Sequence, residues 1–448
     1  MQLRVLVIAT LVLGWSTHNA SLVDPRVSGA AASKPDVILI LMDDMGYGDL
    51  GSYGAPDVRT PNIDRLAREG VRLTDAYANG AVCTPTRAAL ISGRYQQRVG
   101  LEWALLPADS GKGLPVTGTS LPALLKANGY ATGLIGKWHL GWKPEFSPNA
   151  HGFDEFFGFL SGAHSYYSAV GDGGGSDLYE NTTPVVLTSY LTDEITRRAL
   201  GFITRHAEGP FFLEIAYNAV HWPFEPPDRH FTEAERSVPR PLRQMPDDSV
   251  PATREDYVRM LERADRGVGE VLAALDRLSL ARNTLVIFTN DNGGEWLSRN
   301  APLYHRKGTL WEGGIRVPLI MRWPETLPAG KTSGQVAITM DLTASILAGT
   351  GTGAPAGYQP DGIDILPILR GEAPLRERQL FWRVNRPVRQ QQAVRSGSWK
   401  LLIDGGQYLL FDLGADPGER NDLASRHPDI VFALKHIFAD WEKDVAPL

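Results

Sequence analysis

The sequence predicts an α/β protein. One large, mostly parallel sheet lies between helices, with a small antiparallel sheet plus helix at the C-terminal end. Three observations predict it. Runs such as Val37–Met42 and Leu285–Phe288 are continuously apolar, which suits strands buried on both faces, as in parallel sheets covered by helices. Between such runs, apolar residues recur at helical spacing; Tyr257, Met260, Leu261, Ala264, Val268, Val271, Leu272 and Leu275 form the longest stripe. From about Leu375 the texture changes to short runs separated by turn residues, as in a small antiparallel sheet.

In chain order, residues 1–20 are expected to be an export signal. Arg4 is its charged start and Val5 to Gly14 its apolar stretch, with Ala20 and Ala32 as candidate cleavage points. About ten apolar residues are too few to span a bilayer, which takes roughly twenty. A small-residue linker ends near Ser33. The main body is expected over 34–374 and a C-terminal α+β subdomain over 375–448. Asp36–Met42 is the first strand. Thr60-Pro61 opens a short helix that Gly70 closes. Val71–Tyr77 reads as one strand. Ser120 is placed to cap a helix carrying Leu121, Leu124 and Leu125. Ala131–Ile135 and Phe211–Tyr217 read as strands, with a helix over Leu187–His206 before the second. Pro223 to Pro251 is expected to be an exposed, Pro-rich loop near the site. Thr284–Thr289 and Pro318–Arg322 follow as strands, and Asp341–Leu347 starts a helix. The C-terminal runs are Gln379–Trp382, Gln392–Arg395, Trp399–Ile403 and Tyr408–Asp412, and His427–Lys443 is a closing helix.

Composition narrows the function. The chain has 448 residues, is 43% hydrophobic and carries a net charge of −6 without a basic tract, so nucleic acid is not an expected partner. No later apolar run is long enough to span a membrane. There is one cysteine, Cys83, in a chain expected to be exported. It can form no internal disulfide, so it stays free, pairs with another chain or is modified.

Four predicted strands end at or shortly before residues with useful chemistry: Asp43 and Asp44, Lys137 and His139, His221, and Asp291 and Asn292. In open α/β sheets ligands bind beyond the carboxyl ends of the strands, so strand-end loops can bring these residues together. Asp43, Asp44, Asp291 and Asn292 are oxygen donors, suited to Ca²⁺ ahead of Mg²⁺. Arg87, Lys137 and Lys307 can offset the carboxylates and hold an anion.

Cys83 sits where a helix begins. Pro85 suits the first turn, Ala88 to Ile91 follow, and Gly93 stops it. Helix-start N–H groups and Arg87 predict a lowered thiol pKa. Cys83-Thr-Pro-Thr-Arg87, with Leu90 and Gly93-Arg94, resembles the C-x-P-x-R signature of the type I, formylglycine-dependent sulfatases; Thr86 stands where the family commonly has Ser. Gly136-Lys-Trp-His-Leu-Gly141 is similar to the family's second signature, and Asn290-Asp-Asn-Gly-Gly294 to its second metal segment. Lys307 before Trp311-Glu-Gly-Gly-Ile-Arg-Val-Pro318 also matches. Ala393–Lys400 and Phe411–Pro417 look like its C-terminal subdomain.

The resemblance implies an alkaline-phosphatase-like fold and hydrolysis of an organic sulfate ester, on a sulfated carbohydrate or an aryl sulfate. It makes Cys83 the precursor of formylglycine, whose hydrated aldehyde attacks sulfur and touches the metal. Asp43, Asp44, Asp291 and Asn292 become metal ligands. Lys137, His221 and Lys307 become substrate contacts, with His221 as acid and His139 as base. A formylglycine-generating enzyme is then a maturation partner, and the location periplasmic or secreted. Two alternatives stand beside this reading: a phosphodiesterase or phosphonate monoester hydrolase of the same superfamily, and an inactive glycan-binding protein on the same scaffold.

Overall fold

A computed structural model describes residues 34–229 and 252–446. The expected export signal and residues 230–251 of the Pro-rich connection lie outside the described residues. The strands are β1 (Asp36–Met42), β2 (Val71–Leu73), β3 (Ala76–Tyr77), β4 (Ala131–Lys137), β5 (Glu155–Phe159), β6 (Tyr179–Glu180), β7 (Thr183–Pro184), β8 (Phe211–Ala216), β9 (Thr284–Asn290), β10 (Leu319–Arg322), β11 (Lys331–Ser333), β12 (Ala337–Ile338), β13 (Gln379–Arg386), β14 (Arg389–Ser396), β15 (Trp399–Asp404) and β16 (Gln407–Asp412). The helices are α1 (Pro61–Glu69), α2 (Cys83–Ser92), α3 (Leu121–Ala127), α4 (Leu191–Arg205), α5 (Arg254–Arg277), α6 (Glu312–Ile315), α7 (Thr339–Gly349), α8 (Leu366–Arg370) and α9 (Pro428–Asp444).

Among the described residues the large sheet has ten strands, in the order β11-β2-β10-β9-β1-β8-β4-β5-β6-β7. Its centre, β9-β1-β8-β4-β5, is parallel throughout. The alternation of side chains along β1 explains why every residue of this run is apolar after Asp36. Val37, Leu39 and Leu41 pack on one face with α2, α3 and α7, while Ile38, Ile40 and Met42 pack on the other with α1, α4 and α5. Each such side chain, fully buried, contributes about 1.5–3 kcal/mol.

Register then places the site. Met42 pairs with Asn290, Leu41 with Ala216, and Ala216 with Gly136. The carboxyl ends of β9, β1, β8 and β4 are therefore level, and the loops after them open on one rim. Gly136 is required there: at φ 122° a Cβ would lie 1.9 Å from the Ala216 carbonyl oxygen.

Several expectations are corrected. Val71–Tyr77 is not one strand: β2 joins the large sheet, and β3 pairs with β12 in a separate two-stranded sheet. The strand expected over Pro318–Arg322 is present as β10, and it runs antiparallel to β9. Ser120 stands before α3 but gives its hydroxyl to the His151 carbonyl instead of capping the helix. The helix before β8 starts at Leu191, not Leu187. Phe224, Glu225 and Pro226, at the start of the connection expected to be exposed, are buried; Glu225 accepts from the Tyr166 N–H and the Ser165 hydroxyl.

The C-terminal sheet, β13-β14-β15-β16, is antiparallel and packs under α9, where Trp441 stacks on Phe381 at 5.1 Å. It is joined to the body through buried charge. Lys400 on β15 lies 2.9 Å from Glu312 and 2.8 Å from Glu419, and Glu312 also accepts from Tyr77 at 2.7 Å. Without Lys400, Glu312 keeps Arg316 at 3.3 Å, but Glu419 stays buried beside Glu312 with no cation paired to it among the described residues. Lys400→Ala is therefore expected to cost about 3–5 kcal/mol, read as a lower urea midpoint. A loss below about 1 kcal/mol would show that this network does not hold the sheet in place.

Candidate active site

The site begins with α2, buried along nearly its whole length. Its two threonines tie it to the loops around it. Thr86 Oγ1 accepts from the Gly80 N–H at 3.0 Å, fixing the turn before the helix. Thr84 Oγ1 accepts from the Leu105 N–H at 3.1 Å and donates to the His139 carbonyl at 3.0 Å. Gly93, at φ 65°, ends the helix by donating to Ala89.

Cys83 is the first residue of α2, and its Sγ lies 3.5 Å from Asp43 Oδ1. The lowered thiol pKa expected from the sequence is overturned. Burial, and then the nearby Asp291 carboxylate, push the thiol well above its ordinary value despite Lys137 and Lys307.

Arg87 lies one turn along the same face. Its Nε and Nη2 both reach Asp291 Oδ2, at 3.0 and 2.8 Å, and Nη1 donates to the Lys137 carbonyl at 3.0 Å. It staples the ends of β9 and β4 to the nucleophile helix. Lys137 Nζ lies 2.6 Å from Asp43 Oδ2, and Lys307 Nζ lies 2.7 Å from the Asp44 carboxylate. Asn292 donates to Asp44 Oδ1 at 2.7 Å. His221 Nε2 stands 3.5 Å from Asp44 Oδ2, with its Nδ1 2.6 Å from the Trp222 carbonyl. All the residues expected to form the site thus meet in one buried cluster.

Burial would raise the Asp44 carboxyl, but Lys307, His221 and Lys137 outweigh it and hold Asp44 well below the carboxylate range. Asp43 is pushed up by burial and by Asp291. Asp44 and His139 both have positive φ, 62° and 58°. For residues other than glycine this costs roughly 1–2 kcal/mol each, strain of the kind that collects at functional sites.

The His139 ring is held neutral and in one tautomer. Its Nε2 lies 2.9 Å from the Leu105 carbonyl, which can only accept, so the ring proton is on Nε2. Nδ1 is buried and has no partner among the described residues. Burial, then Lys137, push its pKa well down.

The donor set fits a divalent cation. Asp43, Asp44, Cys83 and His221 each place a donor atom within 4.8 Å of the others. Among the described residues Asp291 Oδ1 and Asn292 Oδ1 are buried without a partner, which fits oxygens that would hold a hard cation.

Above this cluster is a cavity of about 250 Å³. Cys83, His139, His221 and Lys307 line it. Arg87, Lys137 and the four oxygen donors are not among its walls. Asp172, Trp103, Arg306, Arg386 and Arg389 also line it. Sequence reasoning missed these, because each stands on a loop or hairpin tip whose partner is remote in sequence.

A family model described as Sulfatase matches residues 35–352. A second, described as N-sulphoglucosamine sulphohydrolase, C-terminal, matches residues 303–443. The chain is 31% identical to N-acetylgalactosamine-6-sulfatase of Canis lupus familiaris, over 94% of this chain and 88% of that protein. It is 34% identical to arylsulfatase A of Bos taurus, over 90% of this chain and 82% of that protein. Among solved structures, that of Ps i-CgsB superimposes with a TM-score of 0.83 at 32% identity, covering 93% of this chain and 94% of the other. Matched along most of its length by sequence and by fold, the chain belongs to the type I sulfatase family of the alkaline phosphatase superfamily and is a sulfuric ester hydrolase.

Proposed function

We propose that the protein hydrolyses sulfate esters on a sulfated carbohydrate, using formylglycine made from Cys83 and a Ca²⁺ ion held by Asp43, Asp44, Asp291 and Asn292. One observation carries the reading. Cys83 opens a buried helix at the floor of a cavity, against carboxylates with unpartnered oxygens beside them. Oxidised to the aldehyde and hydrated, residue 83 would supply one hydroxyl to displace the alcohol from sulfur and a second to expel the sulfate. The cation, when bound, withdraws charge from the sulfate oxygens and favours the deprotonated nucleophile.

The chain's own residues do the rest. Asp43, Asp44 and Asp291 are matched in number by Arg87, Lys137 and Lys307. A dication on this neutral set leaves a net positive site for an anion. Lys307 and His221 face the cavity and are placed to hold the sulfate oxygens. His139 Nδ1, neutral and unpartnered among the described residues, is the proposed acceptor of the proton when the aldehyde re-forms. Oxidation of a buried thiol needs a formylglycine-generating enzyme as a partner before or during folding. The apolar stretch Val5–Gly14 supports export, to the periplasm or outside the cell. Among the described residues no helix is long and apolar enough to cross a membrane.

The carbohydrate is supported by the tryptophans of the cavity, Trp103, Trp222 and Trp296, and by the relatives. One solved relative, 33% identical, is described in complex with k-i-k-neocarrahexaose. Turnover of defined sulfated saccharides against nitrophenyl sulfate tests this, and activity confined to nitrophenyl sulfate would reject a sugar substrate.

His221 is the proposed acid for the leaving oxygen. A sugar alkoxide needs a proton as the S–O bond breaks, whereas a nitrophenolate does not. Loss of a general acid costs on the order of 10²–10⁴-fold where the proton matters. His221→Ala is therefore expected to lower kcat/KM far more for a sugar sulfate than for nitrophenyl sulfate. Equal losses would make His221 a sulfate contact only and shift the acid to Lys307.

A further inference from the structure

The sulfate site described above accounts for the floor of the cavity but not for its rim. The turn between β13 and β14, Arg386 to Arg389, projects from the C-terminal sheet to the cavity mouth, and Val388 at its tip is 86% exposed. Arg386 and Arg389 both line the cavity. The Arg386 guanidinium lies over the Trp103 ring, 5.5 Å from its centre. Arg389 Nη1 donates to the Gly308 carbonyl at 2.8 Å. Gly308 lies between them: a Cβ there would be in ordinary contact with Trp103, at 3.8 Å, and with Arg389 Nη1, at 3.9 Å. The backbone that delivers Lys307 to the sulfate site is thus the same backbone that seats Arg389. Arg306 completes the group.

Charge makes this arrangement informative. The cavity lining carries four fixed cations, Arg306, Lys307, Arg386 and Arg389, against two carboxylates, Asp172 and Glu295. Glu295 lies 3.6 Å from Lys307, and Asp172 lies beside Gly162 near His139. Among the described residues no carboxylate comes within 4 Å of the Arg306, Arg386 or Arg389 guanidinium, and Asp109 feels the Arg386 charge only from farther away. A guanidinium has five N–H donors, and among the described residues only one of Arg389's is used, on Gly308. Clustered like charges repel, and the planar forks that remain suit a carboxylate or sulfate. A single sulfate at the floor needs none of them.

We propose that Arg386 and Arg389, with Arg306 and the Trp103 ring, form a subsite for a second fixed anion, carried on the sugar next to the one that bears the scissile sulfate. This rests on the sulfatase reading of the floor. It makes the preferred substrate an oligosaccharide with charges on neighbouring residues, and it makes the C-terminal hairpin a determinant of specificity.

The test uses disaccharides with one scissile sulfate and a neighbouring sugar bearing a carboxylate, a second sulfate or hydroxyls only. The wild-type enzyme is expected to favour an anionic neighbour by about tenfold or more in kcat/KM, the scale of one charge-assisted contact. The arm that shows the gain identifies the anion. In Arg386→Gln/Arg389→Gln the ratio of anionic to neutral kcat/KM should fall about ten- to a hundredfold, and Arg389→Lys should keep part of it. Calorimetry with the anionic disaccharide lacking the scissile sulfate should show the same loss without any turnover. Wild-type enzyme that treats charged and neutral neighbours alike overturns the subsite, even if the variants do not fold. So does an unchanged ratio in a folded double variant. If no sulfate ester is turned over at all, the proposed function fails, while calorimetry still reads the subsite.

Discussion

Cys83→Ala is expected to abolish turnover, with kcat falling by at least about 10⁴-fold, because a removed nucleophile leaves only binding and electrostatics. Folding should survive. The side chain is small and buried, and Ala keeps its Cβ while losing one sulfur. Helix α2 is held by Thr84, Thr86 and Arg87, none of which uses the thiol as a partner. The measurement is kcat on nitrophenyl sulfate beside a thermal melt. Retained activity in a folded Cys83→Ala enzyme would remove residue 83 from the chemistry.

Stripping divalent cations is expected to have the second-largest effect, a loss on the order of 10³-fold, since a cation at this site supplies several kcal/mol of charge stabilisation. Ca²⁺ should restore activity ahead of Mg²⁺, because flexible oxygen sets with carboxylates and an amide favour the larger ion. Asp44→Ala should mimic the loss and resist rescue. Asp44 is where Lys307, Asn292 and His221 converge, so its removal also leaves Lys307 without its main counter-charge. Elemental analysis gives a check independent of activity. Stoichiometric zinc without calcium in freshly purified protein would count against the assignment.

The sequence made the central strands and their ends legible for one reason. β1, β4, β8 and β9 are covered on both faces, so each shows as an apolar run that stops where polar chemistry begins. The motif around Cys83 was legible because Arg87 follows it by one helical turn, a local relation. What was hidden is non-local. The lowered thiol pKa failed because it weighed the helix start and Arg87, while the fold buries Cys83 beside Asp291 and spends Arg87 on that carboxylate. Val71–Tyr77 looked continuous because β-propensity says nothing of which sheet each half will join. Lys400, on a short antiparallel strand, gave no sign that Glu312 and Glu419 would enclose it. Trp103 and the Arg386–Arg389 turn lie nearly 300 residues apart and meet only at the cavity mouth.

The most direct test joins two numbers from one preparation. Peptide mass spectrometry gives the fraction of residue 83 present as aldehyde, and titration of turnover gives the fraction of active enzyme. Across preparations matured to different extents, the two fractions should rise together and pass through the origin. Full activity in material that carries only the Cys83 thiol would contradict the account.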